Sequence, residues 1–454
     1  MKKLSFFLLG FLFPIISYSQ NWQHFAGDST LFPNRFYIDS SSNQLYAVSW
    51  IIENNGDTVV SPSRWNGDNF EQIGNFDFIN AGFPSAIISY HDTIYIGGEF
   101  NKYRGAPGDY FLRLNSNGSW DTTDISPVNG MVHAFGILND TLIAMGSFWA
   151  VGPASSHSIA KFSNSNWFPV ETGIFGGGYV RSMCSYNDSI IFTGSYSGDY
   201  LVPFDGNVLA YLNDSIIPFG RGIYIGSSTG NANEGIMSSA VYQGQLYVAG
   251  DFSSGIGRTI LKWDGTHWST VGNAAGIAPF SIRAMKVYNN ELYVGGSFVY
   301  IGGVYASHIA KWDGTKWCGL GSYINGPVDD ITVYNNDLII AGGFNSIDGV
   351  PFNGIAKWIG GNYSDTCQVV GINELISNQN ILISPTISNS VISVKDLSGS
   401  ISEISLFDIS GRLVKEYFPS NDQFEINIES LRSGMYFVKI VSGESTVLRK
   451  VIKE

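Results

Sequence analysis

The residue types that most often act in catalysis or metal binding are scattered along this chain. Its histidines are His24, His91, His133, His157, His267 and His308. No two of them have the short spacing of a metal-binding helix or loop, and neither a zinc signature nor a Gly-x-Ser-x-Gly nucleophile motif is present. Local motifs therefore predict no catalytic residue, no metal ligand and no cofactor.

Two acidic residues, Asp329 and Asp330, are adjacent in a segment with strand character. Neighbouring residues of a strand point to opposite faces of the sheet, whereas a glycosidase directs two carboxylates at one bond. The pair is therefore poorly placed for acid–base catalysis by itself. Residues far apart in sequence could still converge in the folded protein, so an enzyme remains an alternative.

The chain has three cysteines, Cys184, Cys318 and Cys367. Cys184 lies in an apolar strand and is predicted to be a small core residue. Cys318 lies in the last strand of a repeat and Cys367 just beyond the repeats, so a disulfide between them would pin the end of the repeat array. The alternative is two buried thiols, because sequence does not give the distance between them.

The elements that carry these residues recur with a regular period. An apolar strand ends in a small residue or Gly-Gly before an aromatic residue, as in LYVGGSF from Leu292, and a second landmark follows. That landmark is Trp65, Leu114, Phe162, Leu212, Trp263, Trp312 and Trp358, and subtraction gives steps of 49, 48, 50, 51, 49 and 46 residues. A repeat of roughly 45–50 residues made of short strands is typical of a propeller blade. We therefore predict an all-β fold with a seven-bladed β-propeller.

Each repeat has short apolar runs separated by Gly, Asn and Asp, which predicts four strands. The segment Asn21–Gly27 matches the last strand of a repeat, although no complete repeat precedes it. We predict that it supplies the outer strand of the seventh blade and so removes an exposed sheet edge. A longer loop at 221–235, beside the degenerate fourth repeat, is where a binding site is expected.

Aromatic pairs flank the turns between the third and fourth strands, as in Trp312 and Trp317. Because such a pair recurs in most repeats, packing within the blade explains it most simply. The alternative is a ring of aromatic residues that stack on sugars. Paired glycines such as Gly342 and Gly343 follow an inner strand, where a bulge or close backbone approach requires the missing Cβ.

Charge and the N-terminus restrict partners and location. The chain has 38 acidic and 25 basic side chains, a net charge of -13, which argues against a nucleic-acid partner. Lys2 and Lys3, an apolar run to Ile16 and small residues to Ser19 predict a signal peptide over residues 1–19, cleaved between Ser19 and Gln20. The run is too short to span a membrane and no later run is long enough, so no transmembrane segment is predicted.

The pattern changes after Cys367. We predict a propeller at residues 20–366, a linker at 367–378 and a C-terminal domain at 379–454. The last segment has short alternating strands without the repeat landmarks, which predicts a small Ig-like β-sandwich.

Three C-terminal motifs carry a resemblance to a known family. They are DISGRLV from Asp408, LRSGMYFVK from Leu431 and RKVIK from Arg449. The segment resembles the type A C-terminal sorting domain of the type IX secretion system, and the matching residues are Asp408, Gly411, Arg412, Leu431, Gly434, Tyr436 and Lys450. The alternative is that the basic residues only solvate an edge strand.

The resemblance implies a Gram-negative bacterium of the Bacteroidota and a protein that is secreted or held at the outer cell surface. It implies that the type IX secretion machinery recognises the folded tail, which is usually then removed. The YVGGSF and IAKWDG units are similar to those of kelch-like and cell-surface propeller proteins, over Asn21 to Tyr363.

Three Asp-Ser/Thr-apolar triplets lie 48 residues apart, each at the entrance to the corresponding strand of its repeat. Their hydroxyl residues are Thr93, Thr141 and Ser189. They resemble the acceptor for O-glycosylation in these bacteria. The alternative is a turn that leads into a strand, for which Asp and Thr are common choices.

Two functions of different class remain after these observations. The first is a non-catalytic binding or adhesion protein whose ligand is an extracellular glycan, polymer or protein. The second is a secreted propeller enzyme that acts on polysaccharide, a glycosidase or a lyase, with residues that converge on the central channel. A purely structural scaffold is a further alternative.

Overall fold

The computed structural model describes most of the chain beyond residue 20. The described residues are 21–25, 31–52, 58–74, 83–99, 102–103, 106–107, 110–121, 128–152, 154–155, 158–163, 166–170, 178–196, 207–212, 215–220, 235–253, 258–272, 274, 281–360, 381–385, 387–396, 401–408, 413–419, 421–442 and 445–453. All helices and strands assigned in these residues are β-strands, so the described residues contain no helix. The chain divides into two compact units, Met1–Cys367 and Gln368–Glu454.

The first unit contains strands β1 to β36 in the described residues. They are β1 (Trp22–Gln23), β2 (Leu31–Asp39), β3 (Gln44–Ile52), β4 (Thr58–Trp65), β5 (Phe70–Gln72), β6 (Phe83–Tyr90), β7 (Thr93–Glu99), β8 (Lys102–Tyr103), β9 (Ala106–Pro107), β10 (Phe111–Leu114), β11 (Trp120–Asp121), β12 (Met131–Leu138), β13 (Thr141–Ser147), β14 (Ala150–Val151), β15 (Ala154–Ser155), β16 (Ile159–Ser163), β17 (Asn166–Pro169), β18 (Gly178–Tyr186), β19 (Ser189–Tyr196), β20 (Val208–Leu212), β21 (Ser215–Pro218), β22 (Gly235–Tyr242), β23 (Gln245–Ser253), β24 (Arg258–Trp263), β25 (Trp268–Thr270), β26 (Ser281–Tyr288), β27 (Glu291–Ser297), β28 (Tyr300–Ile301), β29 (Val304–Tyr305), β30 (Ile309–Trp312), β31 (Trp317–Gly319), β32 (Val328–Tyr334), β33 (Asp337–Gly342), β34 (Ser346–Ile347), β35 (Val350–Pro351) and β36 (Ile355–Trp358).

These strands form seven four-stranded antiparallel sheets among the described residues, which we number as blades 1–7 in chain order. From inside to outside they are β2-β3-β4-β5, β6-β7-β10-β11, β12-β13-β16-β17, β18-β19-β20-β21, β22-β23-β24-β25, β26-β27-β30-β31 and β32-β33-β36-β1. Two-stranded hairpins (β8-β9, β14-β15, β28-β29 and β34-β35) follow the second strand of blades 2, 3, 6 and 7. The described part of the first unit is an all-β propeller.

The N-terminal strand closes blade 7. In the pairing of β1 with β36, Trp22 lies opposite Trp358 and Gln23 opposite Lys357. The Ile359 N–H donates to the carbonyl of Asn21 at 3.0 Å. The rings of Trp22 and Trp358 pack edge to face with centroids 4.9 Å apart. The outer edge of β36 is therefore covered by β1.

The paired aromatic residues pack within and between blades. The ring centroids of Trp312 and Trp317 are 5.2 Å apart, and those of Trp263 and Trp268 are 5.3 Å apart, with similar interplanar angles. Trp317 is buried and its Nε1 donates to the carbonyl of Val271 in the preceding blade at 3.0 Å. The packing interpretation of these aromatic residues is confirmed.

Every innermost strand contains one residue without a cross-strand partner. The register shifts between Pro33 and Arg35, Pro84 and Ala86, Val132 and Ala134, Val180 and Ser182, Ile236 and Ser238, Ile282 and Ala284, and Val328 and Asp330. The residues at these β-bulges, which we call the bulge ring, are Asn34, Ser85, His133, Arg181, Met237, Arg283 and Asp329. A bulge bends its strand and changes the local direction of the backbone, and the residue type at the bulge varies from blade to blade.

The glycine pairs lie opposite these bulges. Gly342 pairs with Val328, directly beside the bulge of blade 7. A Cβ on Gly342 would lie 2.1 Å from the carbonyl oxygen of Pro327, whereas a Cβ on Gly343 would meet nothing nearer than 3.4 Å. The first glycine of this pair is therefore required by a close backbone approach, as the sequence predicts.

Gly342→Ala is expected to lower the free energy of unfolding by about 1–3 kcal/mol because the backbone of β32 must move to admit the methyl group. Gly343→Ala is the matched control, since its Cβ would make only ordinary contacts with the Pro327 ring. Urea denaturation measures both. Equal stability of the two variants would contradict this account of the pair.

The second unit contains strands β37 to β44 in the described residues. They are β37 (Ile381–Ser384), β38 (Ile387–Ser388), β39 (Val391–Asp396), β40 (Ile401–Asp408), β41 (Leu413–Tyr417), β42 (Gln423–Asn427), β43 (Gly434–Ser442) and β44 (Ser445–Lys453). They form one sheet of order β37-β39-β42 and another of order β38-β44-β43-β40-β41. Ile392, Val394 and Ile426 of the first sheet share a buried core with Leu406 and Val438 of the second. Two sheets around one core make a β-sandwich.

Candidate functional site

The innermost strands surround a cavity of about 570 Å³. Its lining comes from blades 1, 2, 3, 4, 5 and 7. Four members of the bulge ring line it, Ser85, His133, Arg181 and Met237. A second cavity of about 440 Å³ shares Arg181 with the first. A cavity of this size is typical of small-molecule sites, so the central channel at the bulge ring is one candidate site.

The carboxylate of Asp329 is engaged by arginine. The Arg283 guanidinium of blade 6 donates to it and forms an ion pair. Arg35 of blade 1 donates from Nη1 to the Asp329 carbonyl oxygen at 3.3 Å. These contacts link the inner strands of blades 6, 7 and 1, and they leave the Asp329 carboxylate neutralised.

Asp330 is held by the backbone rather than by a side chain. Its carboxylate accepts the N–H of Phe36 at 2.7 Å and the N–H of Ile331 at 2.8 Å. Burial raises the pKa of Asp330, while the charge of Arg35 opposes that increase. Asp329 and Asp330 thus bind different partners, and they do not form a pair directed at one bond.

His133 is a neutral hydrogen-bonding residue of the channel. Its Nε2 lies 2.8 Å from the Ser147 hydroxyl. Burial, with the charges of Arg181 and Arg35, lowers the pKa of His133 from 6.5 to about 3. The imidazole is therefore uncharged at neutral pH, and both arginines lie near enough to act on it.

Arg181 lies over an aromatic ring in the same cavity. The centre of its guanidinium is 4.6 Å from the ring centroid of Tyr179, a cation–π contact. Its buried Nε has no hydrogen-bond acceptor, and the guanidinium has no carboxylate within 4 Å, among the described residues. Burial lowers the pKa of Arg181, although an arginine keeps its charge at any physiological pH.

A second candidate surface lies on the hairpin of blade 6 and the segment that enters blade 7. Tyr300, Tyr305 and Tyr323 are 38%, 40% and 56% exposed, and Val299 is also exposed. We call these four residues the aromatic patch. Tyr300 lies opposite Tyr305 in the hairpin, with ring centroids 5.5 Å apart. Large exposed aromatic residues in one place mark binding surfaces.

The patch is held in place by side-chain hydrogen bonds to the backbone. The Asp348 carboxylate accepts the N–H of Tyr323 at 2.7 Å. Asn325 Oδ1 accepts the N–H groups of Asn345 and Ser346, each at 2.9 Å. Asn129 makes the same two contacts in blade 3. The pair Asn-Gly before an inner strand is the sequence signal that could have located these anchored hairpins.

Both candidate sites lie on one face of the propeller. The bulges lie near the start of the inner strands, and the connection from the second to the third strand returns to that end because neighbouring strands are antiparallel. Of the loop at 221–235, where the sequence predicts a binding site, residues 221–234 lie outside the described residues and Gly235 begins β22.

The hydroxyl residues Thr93, Thr141 and Ser189 begin β7, β13 and β19, at the opposite face. Thr93 and Thr141 follow two-residue turns with positive φ, such as +47° and +59° at Asn139 and Asp140. Blade 6 has the same turn without a following hydroxyl residue. The turn conformation therefore explains the aspartates, and O-glycosylation stays a prediction.

Cys184 is a free thiol in β18, and burial raises its pKa. Cys318 is fully buried in β31, and Cys367 lies outside the described residues. The disulfide between Cys318 and Cys367 therefore stays a prediction.

If that disulfide forms, alkylation of the unfolded, unreduced protein should modify one cysteine, and prior reduction should raise the number to three. Intact mass spectrometry counts the modified residues. In the Cys318→Ser control, two cysteines should react without reduction. Three reactive cysteines in the unreduced wild type would contradict the bridge.

The residues of the sorting motifs come together in the five-stranded sheet of the second unit. Asp408 of β40 lies opposite Tyr436 of β43, and Phe437 lies opposite Lys450 of β44. The Tyr436 hydroxyl donates to the carbonyl of Arg432 at 2.9 Å. Leu431 packs against the core. These pairings place residues from the three separate motifs in one sheet.

Gly434 begins β43 with φ of +154°, which other residues rarely adopt. Gly411 and Arg412 lie outside the described residues, as do Ser19 and Gln20 of the predicted signal-peptide cleavage site.

The described residues form two units, an all-β propeller and a C-terminal β-sandwich that brings together the three sorting motifs. The family model "Secretion system C-terminal sorting domain" matches residues 384–454, and a β-propeller domain of unknown function, DUF5122, matches residues 92–123. The tail is therefore a sorting domain that engages the type IX secretion system, and the protein is secreted to the cell surface of a member of the Bacteroidota.

Several solved structures resemble the chain at low identity. PorZ, a surface component of the type IX secretion system of Porphyromonas gingivalis, is 14% identical, with 95% of this chain and 60% of PorZ covered and a TM-score of 0.43. The chain therefore spans about 60% of the length of PorZ. The extracellular domain of a one-component system from Bacteroides thetaiotaomicron is 8% identical over 93% of this chain and 74% of that one, with a TM-score of 0.30. A protein of unknown function from the same species is 9% identical, with coverages of 74% and 99% and a TM-score of 0.32.

No curated protein matches the chain. Within the described residues, no helix is long and apolar enough to cross a membrane. No group of three His, Cys, Asp or Glu residues in the same part of the chain could hold a metal ion.

Proposed function

We propose that this protein is a non-catalytic binding protein at the cell surface, and that the aromatic patch contacts a glycan. The exposure of Tyr300, Tyr305 and Tyr323 supports the proposal most directly, because the aromatic pairs of the repeat are packed into the blades. Tyrosine combines a flat apolar ring with a hydroxyl, which suits the apolar face and polar rim of a sugar. The hydrogen bonds of Asp348 and Asn325 order the surface before binding, which lowers the entropy lost on association.

The state of the channel carboxylates favours binding over hydrolysis. Asp329 is neutralised by Arg283, and Asp330 accepts two backbone N–H groups. A glycosidase requires one carboxyl as acid and a second as base or nucleophile, both directed at the scissile bond. The alternative, an enzyme that acts on polysaccharide, predicts new reducing ends or unsaturated products, and the same experiment detects them.

The test measures retention of the purified protein on immobilised polysaccharides and assays the supernatants for reducing ends. The wild type should bind at least one polysaccharide without cleaving it. Tyr305→Ala combined with Tyr323→Ala should weaken that binding at least tenfold. Phe168→Ala is the matched control, because Phe168 is an exposed aromatic residue of β17 outside the patch.

Cleavage products would favour the enzyme instead. Binding that survives loss of both tyrosines would show that the patch is not the contact surface.

A further inference from the structure

Positive charge exceeds negative charge in the channel, although the whole protein is acidic. Arg35 and Arg181 line the first cavity with two positive charges, and Asp330 is the one carboxylate in its described lining, which leaves a surplus of at least one positive charge. Arg283 and Asp329 form an ion pair outside this lining and add no net charge, and Lys286 lines only the second cavity. A charge removed from water is stable only when an opposite charge or good hydrogen bonds accompany it. The described lining provides no second carboxylate, so the surplus charge is available to an anionic ligand.

The surplus can be assigned to Arg181. Arg283 has its carboxylate in Asp329, and Arg35 donates to the Asp329 carbonyl and lies near Asp330. Arg181 has only the ring of Tyr179 beneath it, and its buried Nε has no acceptor among the described residues. His133 is neutral and forms its hydrogen bond with Ser147, so it neither adds to the charge nor compensates for it.

We propose that the channel at the bulge ring binds an acidic sugar, with its carboxylate on the guanidinium of Arg181 and near Arg35. This inference takes from the proposed function only the class of ligand, a glycan, and adds that the sugar is acidic. It concerns a site distinct from the aromatic patch.

Three features of the lining select this chemistry. A planar guanidinium matches a planar carboxylate through two parallel N–H···O bonds. A surplus of one charge suits a monoanion, whereas a doubly charged phosphate would face the Asp330 carboxylate without full compensation. The Ser85 hydroxyl and the rings of Tyr37 and Tyr179 line the same space, and they supply the polar and apolar contacts that a sugar ring uses.

Calorimetric titration of the purified protein with sodium D-glucuronate tests the inference, with D-glucose, acetate and sulfate as comparison ligands. Glucuronate should bind at least tenfold more tightly than each of the other three. Arg181→Gln should weaken glucuronate binding at least tenfold, and Arg35→Gln should weaken it as well. Arg64→Gln is the matched control, because Arg64 is an exposed arginine paired with Glu71 on blade 1.

Thermal unfolding without ligand shows whether each variant is folded. If Arg181→Gln fails to fold, Arg35→Gln decides the result. Equal binding of glucuronate by wild type and the arginine variants, or none by the wild type, would overturn the site. If acetate binds as tightly as glucuronate, the ligand is not a sugar. If sulfate binds more tightly than glucuronate, the site does not select a carboxylate.

Loss of polysaccharide retention and loss of glucuronate binding are separable. The double variant Tyr305→Ala and Tyr323→Ala should keep the wild-type affinity for glucuronate, since neither residue lines the channel. If that variant retains polysaccharide as the wild type does while Arg181→Gln loses glucuronate, the patch is wrong and the channel site stands. If the tyrosines matter and glucuronate does not bind, the channel site is wrong.

Discussion

Replacing Trp22 with alanine should lower the free energy of unfolding of the propeller by about 3–5 kcal/mol, the range for loss of a large buried aromatic side chain. Trp22 is 3% exposed and packs in one core cluster with Leu320, Ile340 and Phe352. Its indole N–H has no acceptor among the described residues, so the substitution removes packing without removing a hydrogen bond. The decrease in the free energy of unfolding should be large because β1 has only two residues, so the Trp22 side chain provides most of its packing against blade 7.

Urea denaturation followed by tryptophan fluorescence measures the effect. Trp149→Ala is the matched control, because Trp149 is 68% exposed on blade 3 and its loss should change stability by less than about 0.5 kcal/mol. If Trp22→Ala were as mild as the control, the N-terminal strand would not contribute to closure of the ring.

Acidification from pH 6.5 to 4.5 should destabilise the protein through His133 by about 2–3 kcal/mol. The folded-state pKa of about 3 lies below the ordinary value of 6.5. In this window the unfolded chain binds a proton at His133 and the folded protein does not, so stability falls as pH falls. Well above pH 6.5 His133 is neutral in both states, and it then makes no pH-dependent contribution to the free energy of unfolding.

The His133→Gln variant should lose this part of the pH dependence, since an amide can keep the hydrogen bond to Ser147 without titrating. His308, whose pKa is also lowered by burial, and Asp330, whose pKa is raised, remain in both proteins. The difference between wild type and variant therefore isolates His133. His267→Gln, on an exposed turn, should behave as the wild type. Parallel stability curves for wild type and His133→Gln would contradict the burial of a neutral imidazole.

Much of the propeller could be predicted from sequence because each blade repeats the same packing. The landmarks Trp65, Trp263 and Trp312 each end the third strand of a blade, as the alignment requires. The tail could be predicted because its motifs pair across neighbouring strands of one sheet. In the propeller, core packing requires apolar residues in every repeat, and close approach of the backbone requires glycine in several of them, so the local and the overall structure agree.

The channel could not be predicted in the same way. The bulge ring occupies one position of the repeat, but the residue type at that position varies between blades, as in His133, Arg181 and Asp329. An alignment of the repeats therefore shows no preferred residue type at the bulge position. An apolar residue before it and a small residue after it recur in several blades. A variable position between two recurring residue types is the sequence signal that could have located the bulge ring. The bulge, which decides where these side chains point, has no sequence marker of its own apart from the opposing glycine.

The pairing of Trp22 with Trp358 also governs the order in which the molecule can assemble. The two residues are 336 positions apart by subtraction. Contacts between distant positions form late, because a long loop must close before they contribute. The first described strand, β1, therefore waits for β36, the last strand of the propeller in chain order, and blade 7 stays incomplete until residues 355–358 are present. A chain that stalls or is truncated before that point exposes the edge of β33 that β36 would cover, together with the indole of Trp22, and it becomes a substrate for aggregation or proteolysis.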